Sequence, residues 1–105
     1  ARDLPDVLAG RAGSTLAFEA KASSGGPIYI DASEVDALFR FSETFGATPR
    51  IVARFDAEHG DPSYGEANMT PHRALTIGDL HQTDGGNYRV KKGRALEKGV
   101  PVGEL

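Results

Sequence analysis

The sequence contains no cysteine and no apolar run longer than a few residues. The first absence excludes a disulfide framework and a cysteine-based zinc site, and it makes a reducing, cytoplasmic setting the expectation. The second excludes a membrane-spanning segment and the apolar region of a secretory signal, so no membrane partner is expected. A basic surplus is missing too, because the formal net charge is −3. Overall charge therefore argues against a nucleic-acid binder, although local basic clusters remain compatible with one.

What is present fits one small domain. The chain has 105 residues, of which 39% are apolar and 26% charged, as in ordinary globular proteins. We therefore expect a single domain over residues 1–105. The sequence starts at Ala1 without an initiating methionine and reaches a strand pattern within a few residues. This start leads us to expect that a natural N-terminal segment is missing.

The first half of the chain shows clear local patterns. Residues 6–10 and 14–21 predict a β-hairpin with a Gly-rich turn at 10–13, and IYI predicts a short strand after an SSGGP loop. A helix is predicted from Glu34 to Phe45, with Ser33 as N-cap, Asp36 three residues on and Gly46 at the end. RIVARF, residues 50–55, alternates as a strand does.

The second half is less regular. Residues 57–70 are rich in glycine, proline and polar side chains and predict a surface excursion. HRALTI, residues 72–77, predicts a returning strand, and GDLHQ a turn or short helix. The last stretch predicts a turn at Asp84–Gly86, a basic strand and a short helix ending near Gly99. This order of elements favours an α/β domain with a central sheet.

Three ionisable residues stand out in the hairpin. Alternation along a strand places Glu19 and Lys21 on one face, while Phe18 and Ala20 point the other way and, being apolar, are expected to be buried. A short turn would bring Asp6 beside Glu19. Two carboxylates so close repel each other unless a cation intervenes, and Mg²⁺ prefers such oxygen ligands. A solvated salt bridge is the simpler interpretation, and for an isolated E-x-K pattern it is the favoured one.

With these residues identified, the sequence resembles the PD-(D/E)xK metal-dependent nucleases through Pro5-Asp6 and Glu19-Ala20-Lys21. More closely, it resembles the archaeal-type Holliday junction resolvases, in what looks like a salt-adapted branch. The likeness covers most of the chain, with residues 57–70 the poorest part. It is carried by LPDVLAG, FEAK, LFRFSETFGA, PRIVARFD and TDGGNYRVKK. It implies a restriction-endonuclease-like α/β fold, with a central mixed β-sheet flanked by helices.

The resemblance also implies roles for individual residues. Asp6 and Glu19 would be metal ligands together with the Ala20 carbonyl, and Lys21 would be the catalytic lysine. Mg²⁺ would be the cofactor, with Mn²⁺ a plausible substitute. The family further uses an acid and basic residues on an N-terminal helix and a serine-bearing loop before the Pro-Asp. None of these has a counterpart in the sequence, so the active site is expected to be incomplete.

The predicted helix carries more apolar residues than one sheet face needs. At about 100° per residue, its apolar arc includes Val35, Leu38 and Phe39 and is widened by Phe41 and Phe45. For Val35 and Phe39 the pattern leaves core and surface positions equally open. Phe41 and Phe45 are neighbours on one face and favour an exposed patch. In the resembled family such phenylalanines lie in a twofold dimer interface, which would match the approximate twofold symmetry of a four-way junction.

Basic residues form local groups despite the negative net charge. The RVKKGR stretch is usually a solvated strand and turn, but joined to a nuclease signature it favours contact with DNA phosphates. Arg11 in the hairpin turn is a further candidate, whereas the histidines show no metal-ligand spacing and are interpreted as surface or structural. The candidate DNA-binding residues are Arg11, Arg54, Arg89, Lys91, Lys92 and Arg94.

These observations favour a Mg²⁺-dependent homodimeric endonuclease that resolves four-way DNA junctions by paired nicks in recombination and repair. Two alternatives stay open: a nuclease of the same superfamily that acts on flaps, nicked or foreign duplex, and a domain that binds junctions without cutting. A sliding clamp stays open as a further protein partner.

Overall fold

The computed structural model describes residues 6–9, 15–55 and 72–104, and for residues 6–9 it describes the backbone only. Arg11, His59 and the predicted excursion at 57–70 therefore lie outside the described residues. The strands are β1 (Asp6–Ala9), β2 (Thr15–Ser23), β3 (Ile28–Ile30), β4 (Thr48–Phe55), β5 (Arg73–Leu75), β6 (His81–Gln82), β7 (Tyr88–Val90) and β8 (Val100–Pro101). The helices are α1 (Ala32–Phe45) and α2 (Lys92–Lys98), with 3₁₀ turns at Ile77–Asp79 and Val102–Glu104.

The main sheet has five strands in the order β1-β2-β4-β5-β8. β1 and β2 pair antiparallel, which confirms the predicted hairpin, although its turn lies outside the described residues. β2 and β4 are parallel and are connected through α1, because parallel neighbours need a long crossover. The remaining pairs, β4 with β5 and β5 with β8, are antiparallel, so the sheet is mixed as expected.

A second, smaller sheet has the order β3-β7-β6, and both of its strand pairs are antiparallel. Its inner face contributes Ile28, Ile30 and Val90 to the same core as the main sheet. Its outer face carries Tyr29, which is 60% exposed. The predicted short IYI strand is thus confirmed, and it belongs to this second sheet.

The core lies between α1 and the main sheet. Val35 and Leu38 of α1 pack with Ala17 of β2 and Ile51 of β4, and all four are essentially inaccessible to solvent. Val52 is buried as well, whereas the alternating pattern predicted a single buried face for this strand. β4 is a central strand, so on this second face Val52 stands between Ala20 of β2 and Ala74 of β5.

Helix α1 begins two residues earlier than predicted. Its N-cap is Asp31 rather than Ser33, and the acid three residues on is Glu34 rather than Asp36. The C-terminal end was predicted correctly, because Gly46 has a φ of 66° and the helix stops there. This left-handed conformation is easy for glycine and strained for other residues.

The C-terminal part follows the prediction in most elements. The short strand β5, the turn at residues 84–86, the basic strand β7 and the helix ending before Gly99 are all present. The pairing of β8 with β5 was not predicted, because two residues carry no periodic signal. Among the described residues, no helix has both the length and the apolarity needed to cross a membrane.

Candidate functional site: a charged cluster where strand β2 meets helix α1

Strand β2 carries ionisable side chains on the face that it turns to the core. Ala17 is fully buried on this face, and alternation places Glu19 and Lys21 on the same side, where both are half-buried. In the parallel ladder, these two residues are paired with Ile51 and Ala53 of the core. The charges therefore stand at the point where the apolar layer between sheet and helix ends.

Asp6 lies at the start of the neighbouring strand. Its backbone is paired with Phe18, the residue immediately before Glu19. This pairing brings the backbone of Asp6 next to the E-x-K motif. The Asp6 side chain lies outside the described residues, so its part in a metal site stays a prediction.

The residue that sequence reasoning missed is Glu34. Its Oε2 atom lies 2.7 Å from Lys21 Nζ, and the two side chains are 28% and 29% exposed. Its Oε1 atom accepts a hydrogen bond of 3.1 Å from the backbone N–H of Asp31. Glu34 was counted only as the first residue of the predicted helix. With Asp31 assigned as the N-cap, Glu34 three residues later would have been recognised as a capping residue. That assignment would still not have identified Glu34 as the partner of Lys21.

The surroundings of Glu34 favour its ionised form. Burial by itself raises the pKa of this carboxyl group, but the hydrogen bond to Lys21 opposes it, together with the Asp31 N–H, the Lys21 charge and a hydrogen bond with the Glu19 carboxyl group. The net result is a pKa below the ordinary value of 4.5. Glu34 is therefore a carboxylate at neutral pH and a charged partner for Lys21.

The expected burial of the residues around the charges is partly wrong. Ala20 is exposed and Phe18 only half-buried, although both are apolar and lie on the face of β2 opposite Glu19 and Lys21. Among the described residues, no group of three or more histidine, cysteine, aspartate or glutamate side chains is arranged to hold a metal ion. The Asp6 side chain is not one of those described, so the ligand set of Asp6, Glu19 and the Ala20 carbonyl stays a prediction.

A basic pocket lies apart from this cluster, between β6, β7 and α2. Arg89, Lys91 and Arg94, all predicted to contact DNA, line the same cavity. Arg94 Nε donates a hydrogen bond of 3.1 Å to the backbone carbonyl of Asp79, which holds α2 against the preceding 3₁₀ turn. The other lining residues are Asp79, Leu80, His81 and Val90. The structure thus brings together three of the predicted basic residues.

Two residues, one lining this pocket and one next to it in the sheet, were not predicted as functional. Tyr29, Arg89 and His81 are in register across β3, β7 and β6, so they form one row on the outer face of the second sheet. Sequence reasoning interpreted His81 as surface or structural and assigned no role to Tyr29. Their alignment depends on strand pairing between distant segments, which no local pattern signals. Of the other candidates, Arg54 and Lys92 are half-buried and do not line this pocket.

Helix α1 exposes aromatic side chains near its C-terminal end. Phe45 is 66% exposed and Phe39 is 40% exposed, whereas Val35 is buried. Phe41 packs against the core and is only partly exposed. Of the two phenylalanines that were predicted to form an exposed patch, Phe45 is therefore the more exposed. The Phe41 and Phe45 rings contact each other with their centroids 4.6 Å apart.

The Lys21–Glu34 pair predicts a specific pH dependence of stability. Because the folded-state pKa of Glu34 is lowered, its contribution to the free energy of unfolding is complete above about pH 4.5 and is lost as the pH falls through the folded value. Glu34→Gln keeps the cap acceptor but removes the charge. We expect it to be less stable than the wild type by about 1 kcal/mol at pH 7. The difference should shrink towards pH 3 in urea titrations.

The control is Glu43→Gln, which removes an exposed carboxylate from the other end of the same helix. This variant should keep the acid-sensitive contribution of Glu34. A constant difference between Glu34→Gln and the wild type from pH 7 to pH 3 would contradict the assignment.

Comparisons with known proteins agree with one another. The curated crossover junction endodeoxyribonuclease Hjc of Methanocaldococcus jannaschii is 42% identical over 53 residues, which are 50% of this chain and 40% of the relative. The chain thus matches about two fifths of that relative's length. The solved structure of Hjc, a Holliday junction resolvase from Archaeoglobus fulgidus, superimposes with a TM-score of 0.74 over 97% of this chain and 72% of that chain, at 24% identity. This similarity confirms the predicted mixed-sheet, restriction-endonuclease-like fold.

The family comparison covers the whole chain. A model of the archaeal Holliday junction resolvase (Hjc) family matches residues 1–105. The match therefore includes both the Pro-Asp and the E-x-K motifs and extends through the basic pocket to the C-terminal residues. This chain belongs to the archaeal Holliday junction resolvase (Hjc) family.

Proposed function

We propose that this chain is a divalent-metal-dependent, structure-selective endonuclease that cleaves four-way DNA junctions by paired nicks. The observation that carries the proposal is the placement of Glu19 and Lys21, half-buried on one face of β2, with the Asp6 backbone on the adjacent strand. Family membership over residues 1–105 supports the same activity. The named activities of the Methanocaldococcus and Archaeoglobus relatives support the substrate.

The donor chemistry at this place fits a hard divalent cation. Asp6 and Glu19 offer carboxylate oxygens from adjacent strands, and the Ala20 backbone offers a carbonyl oxygen, which are the ligand types that Mg²⁺ prefers. These three residues would hold the ion, with Mn²⁺ as a plausible substitute. A bound ion would supply a water of lowered pKa and would stabilise negative charge on a phosphoryl oxygen.

Lys21 acts beside the carboxylates. Its side chain is 29% exposed, so it is accessible to a substrate phosphate while it is held at the edge of the core. We assign it to offset the negative charge that develops on the phosphoryl oxygens, and to orient the attacking water. Glu19 lies two residues away on the same face of the strand. The proposed metal ligand Glu19 and the ammonium group of Lys21 therefore act on the same phosphate.

The basic pocket is proposed to hold the phosphate backbone of the junction. Arg89, Lys91 and Arg94 share one cavity, and their charge is complementary to phosphate. Such contacts position a branched substrate without reading its bases, which suits selection by shape. Arg11, Arg54 and Lys92 stay further candidates for contacts with DNA.

The exposed aromatic end of α1 is proposed to form a twofold dimer interface. Phe45 is 66% exposed and its ring contacts the Phe41 ring, with the two ring planes tilted by 36°, so the surface is apolar. A twofold dimer presents two equivalent sites, as the two nicks of junction resolution require. Each protomer would contribute one set of Asp6, Glu19 and Lys21.

The first prediction concerns cleavage. Asp6→Asn and Lys21→Ala in the full-length protein should each abolish Mg²⁺-dependent cleavage of a synthetic four-way junction. The expected loss in single-turnover rate is at least about 100-fold. Asp6→Asn removes a proposed metal ligand, and Lys21→Ala removes the ammonium group that offsets the negative charge on the phosphoryl oxygens. Binding of the junction should persist in gel-shift assays. Undiminished cleavage by either variant would overturn the proposed active site.

The same assay separates the alternative functions. Junction, flap, nicked duplex and linear duplex should be compared at one salt concentration, because salt weakens all phosphate contacts. We expect the junction to be cleaved fastest. Faster cleavage of a flap or duplex would favour another nuclease of the superfamily, and binding without cleavage would favour a non-cleaving junction binder.

The second prediction concerns the basic pocket. The double variant Arg89→Gln/Lys91→Gln should weaken junction binding several-fold. It should also reduce the slope of log K against log salt by about one for each phosphate that the variant no longer neutralises. Lys98→Gln is the matched control, since Lys98 is an exposed basic residue at the far end of α2, outside the pocket. Equal weakening in the double variant and the control would show a general charge effect and contradict the assignment.

The third prediction concerns assembly. Phe45→Glu should convert the dimer to monomers in sedimentation velocity experiments, because it places a charge in the middle of the apolar surface. Tyr29→Glu is the control, since Tyr29 is similarly exposed at 60% but lies on the second sheet. A wild-type protein that sediments as a monomer, or a Phe45→Glu variant that remains dimeric, would exclude this interface.

A further inference from the structure

We propose that Glu34 is the positioning residue for Lys21, so that the N-terminal turn of α1 sets the geometry of phosphodiester cleavage. The inference rests on the function proposed above, because Lys21 must act on the phosphate for its placement to matter. In this scheme Glu34 contacts neither the substrate nor the metal ion. It acts through the lysine.

The contact itself is short and specific. Lys21 Nζ and Glu34 Oε2 are 2.7 Å apart, in the range of a strong charge-assisted hydrogen bond. The two residues come from β2 and α1, so the contact joins a sheet strand to the helix that covers it. A free lysine side chain loses rotamer entropy when it is ordered, and a fixed partner lowers that cost at the moment of reaction.

Glu34 is itself held in place from two sides. Its Oε1 atom accepts the Asp31 N–H at 3.1 Å, so both carboxylate oxygens have a partner. The next residue of the same turn, Ala32, donates its N–H to Asn87 Oδ1 at 2.9 Å. Asn87 immediately precedes β7 of the second sheet. The first turn of α1, and with it the Glu34 carboxylate, is therefore anchored by a part of the fold that is distant in sequence.

Capping alone does not account for this arrangement. The helix cap uses only Oε1, and glutamine serves as well as glutamate at that position of a capping box. The negative charge is thus not needed for the start of the helix. It is needed to hold the ammonium group of Lys21, whose side chain is only 29% exposed.

A positioning role has a kinetic signature that a structural role lacks. Glu34 brings a negative charge close to the place that a substrate phosphate would occupy, so it does not favour DNA binding. Its removal should lower the cleavage rate and leave junction affinity unchanged or slightly higher. A residue that only supports the fold would lower both the rate and the fraction of competent protein.

The test uses Glu34→Gln in the full-length protein, with Glu43→Gln on the same helix as control. Single-turnover cleavage at saturating enzyme should fall about 10- to 100-fold for Glu34→Gln, as expected for a displaced catalytic group, and stay at the wild-type rate for Glu43→Gln. In a Lys21→Ala background, the Glu34 substitution should cause no further loss, because the two residues act as one unit. Glu34→Asp, which keeps the charge, should recover part of the rate.

A second readout does not depend on cleavage. Side-chain ¹³C relaxation at Lys21 Cε should show an ordered ammonium group in the wild type and in Glu43→Gln, and a mobile one in Glu34→Gln. Loss of order with an unchanged cleavage rate would overturn the inference while leaving the proposed function intact. So would a raised Mg²⁺ requirement with a normal saturated rate, since that result would make Glu34 a metal ligand. A wild-type protein that does not cleave junctions would instead refute the proposed function.

Discussion

The end of strand β2 must combine a buried sheet face with two ionisable side chains, and the Lys21–Glu34 contact makes this combination stable. The face that buries Ala17 completely continues through Glu19 to Lys21. An unpaired charge so close to the core would be costly. Glu34 supplies the opposite charge at 2.7 Å, and both side chains keep more than a quarter of their surface in solvent. The strand can therefore support the core and still present reactive groups at the surface.

Helix α1 connects the three regions for which a function is proposed: the charged cluster, the exposed aromatic end of the helix and the basic pocket. Its first turn holds Glu34 beside Lys21, its middle packs Leu38 into the core, and its last turn exposes Phe45. The hydrogen bond from Ala32 to Asn87 ties the same helix to the sheet whose strands line the basic pocket. A small displacement of this one helix would therefore affect both the charged cluster and the proposed dimer surface.

The errors of the sequence-based predictions share one physical origin. Two capping patterns overlap at the start of α1, one on Ser33 and one on Asp31, and their local propensities are similar. Contacts of Glu34 with Lys21, and of Ala32 with Asn87, accompany the second pattern in the folded protein. Likewise, the burial of Val52 follows from the central position of β4, which is a property of the sheet and not of the strand.

The sequence by itself determined the hairpin, the glycine that ends α1, and the placement of Glu19 and Lys21 on a common strand face. These features depend on the two-residue period of a strand and on local turn chemistry, which neighbouring residues settle among themselves. Only the tertiary structure decided that this face lies under α1, that Glu34 is the partner of Lys21, and that Arg89 meets His81 at one pocket. Those contacts join segments far apart in the chain, and their geometry is set by the order of the strands and the packing of the helix.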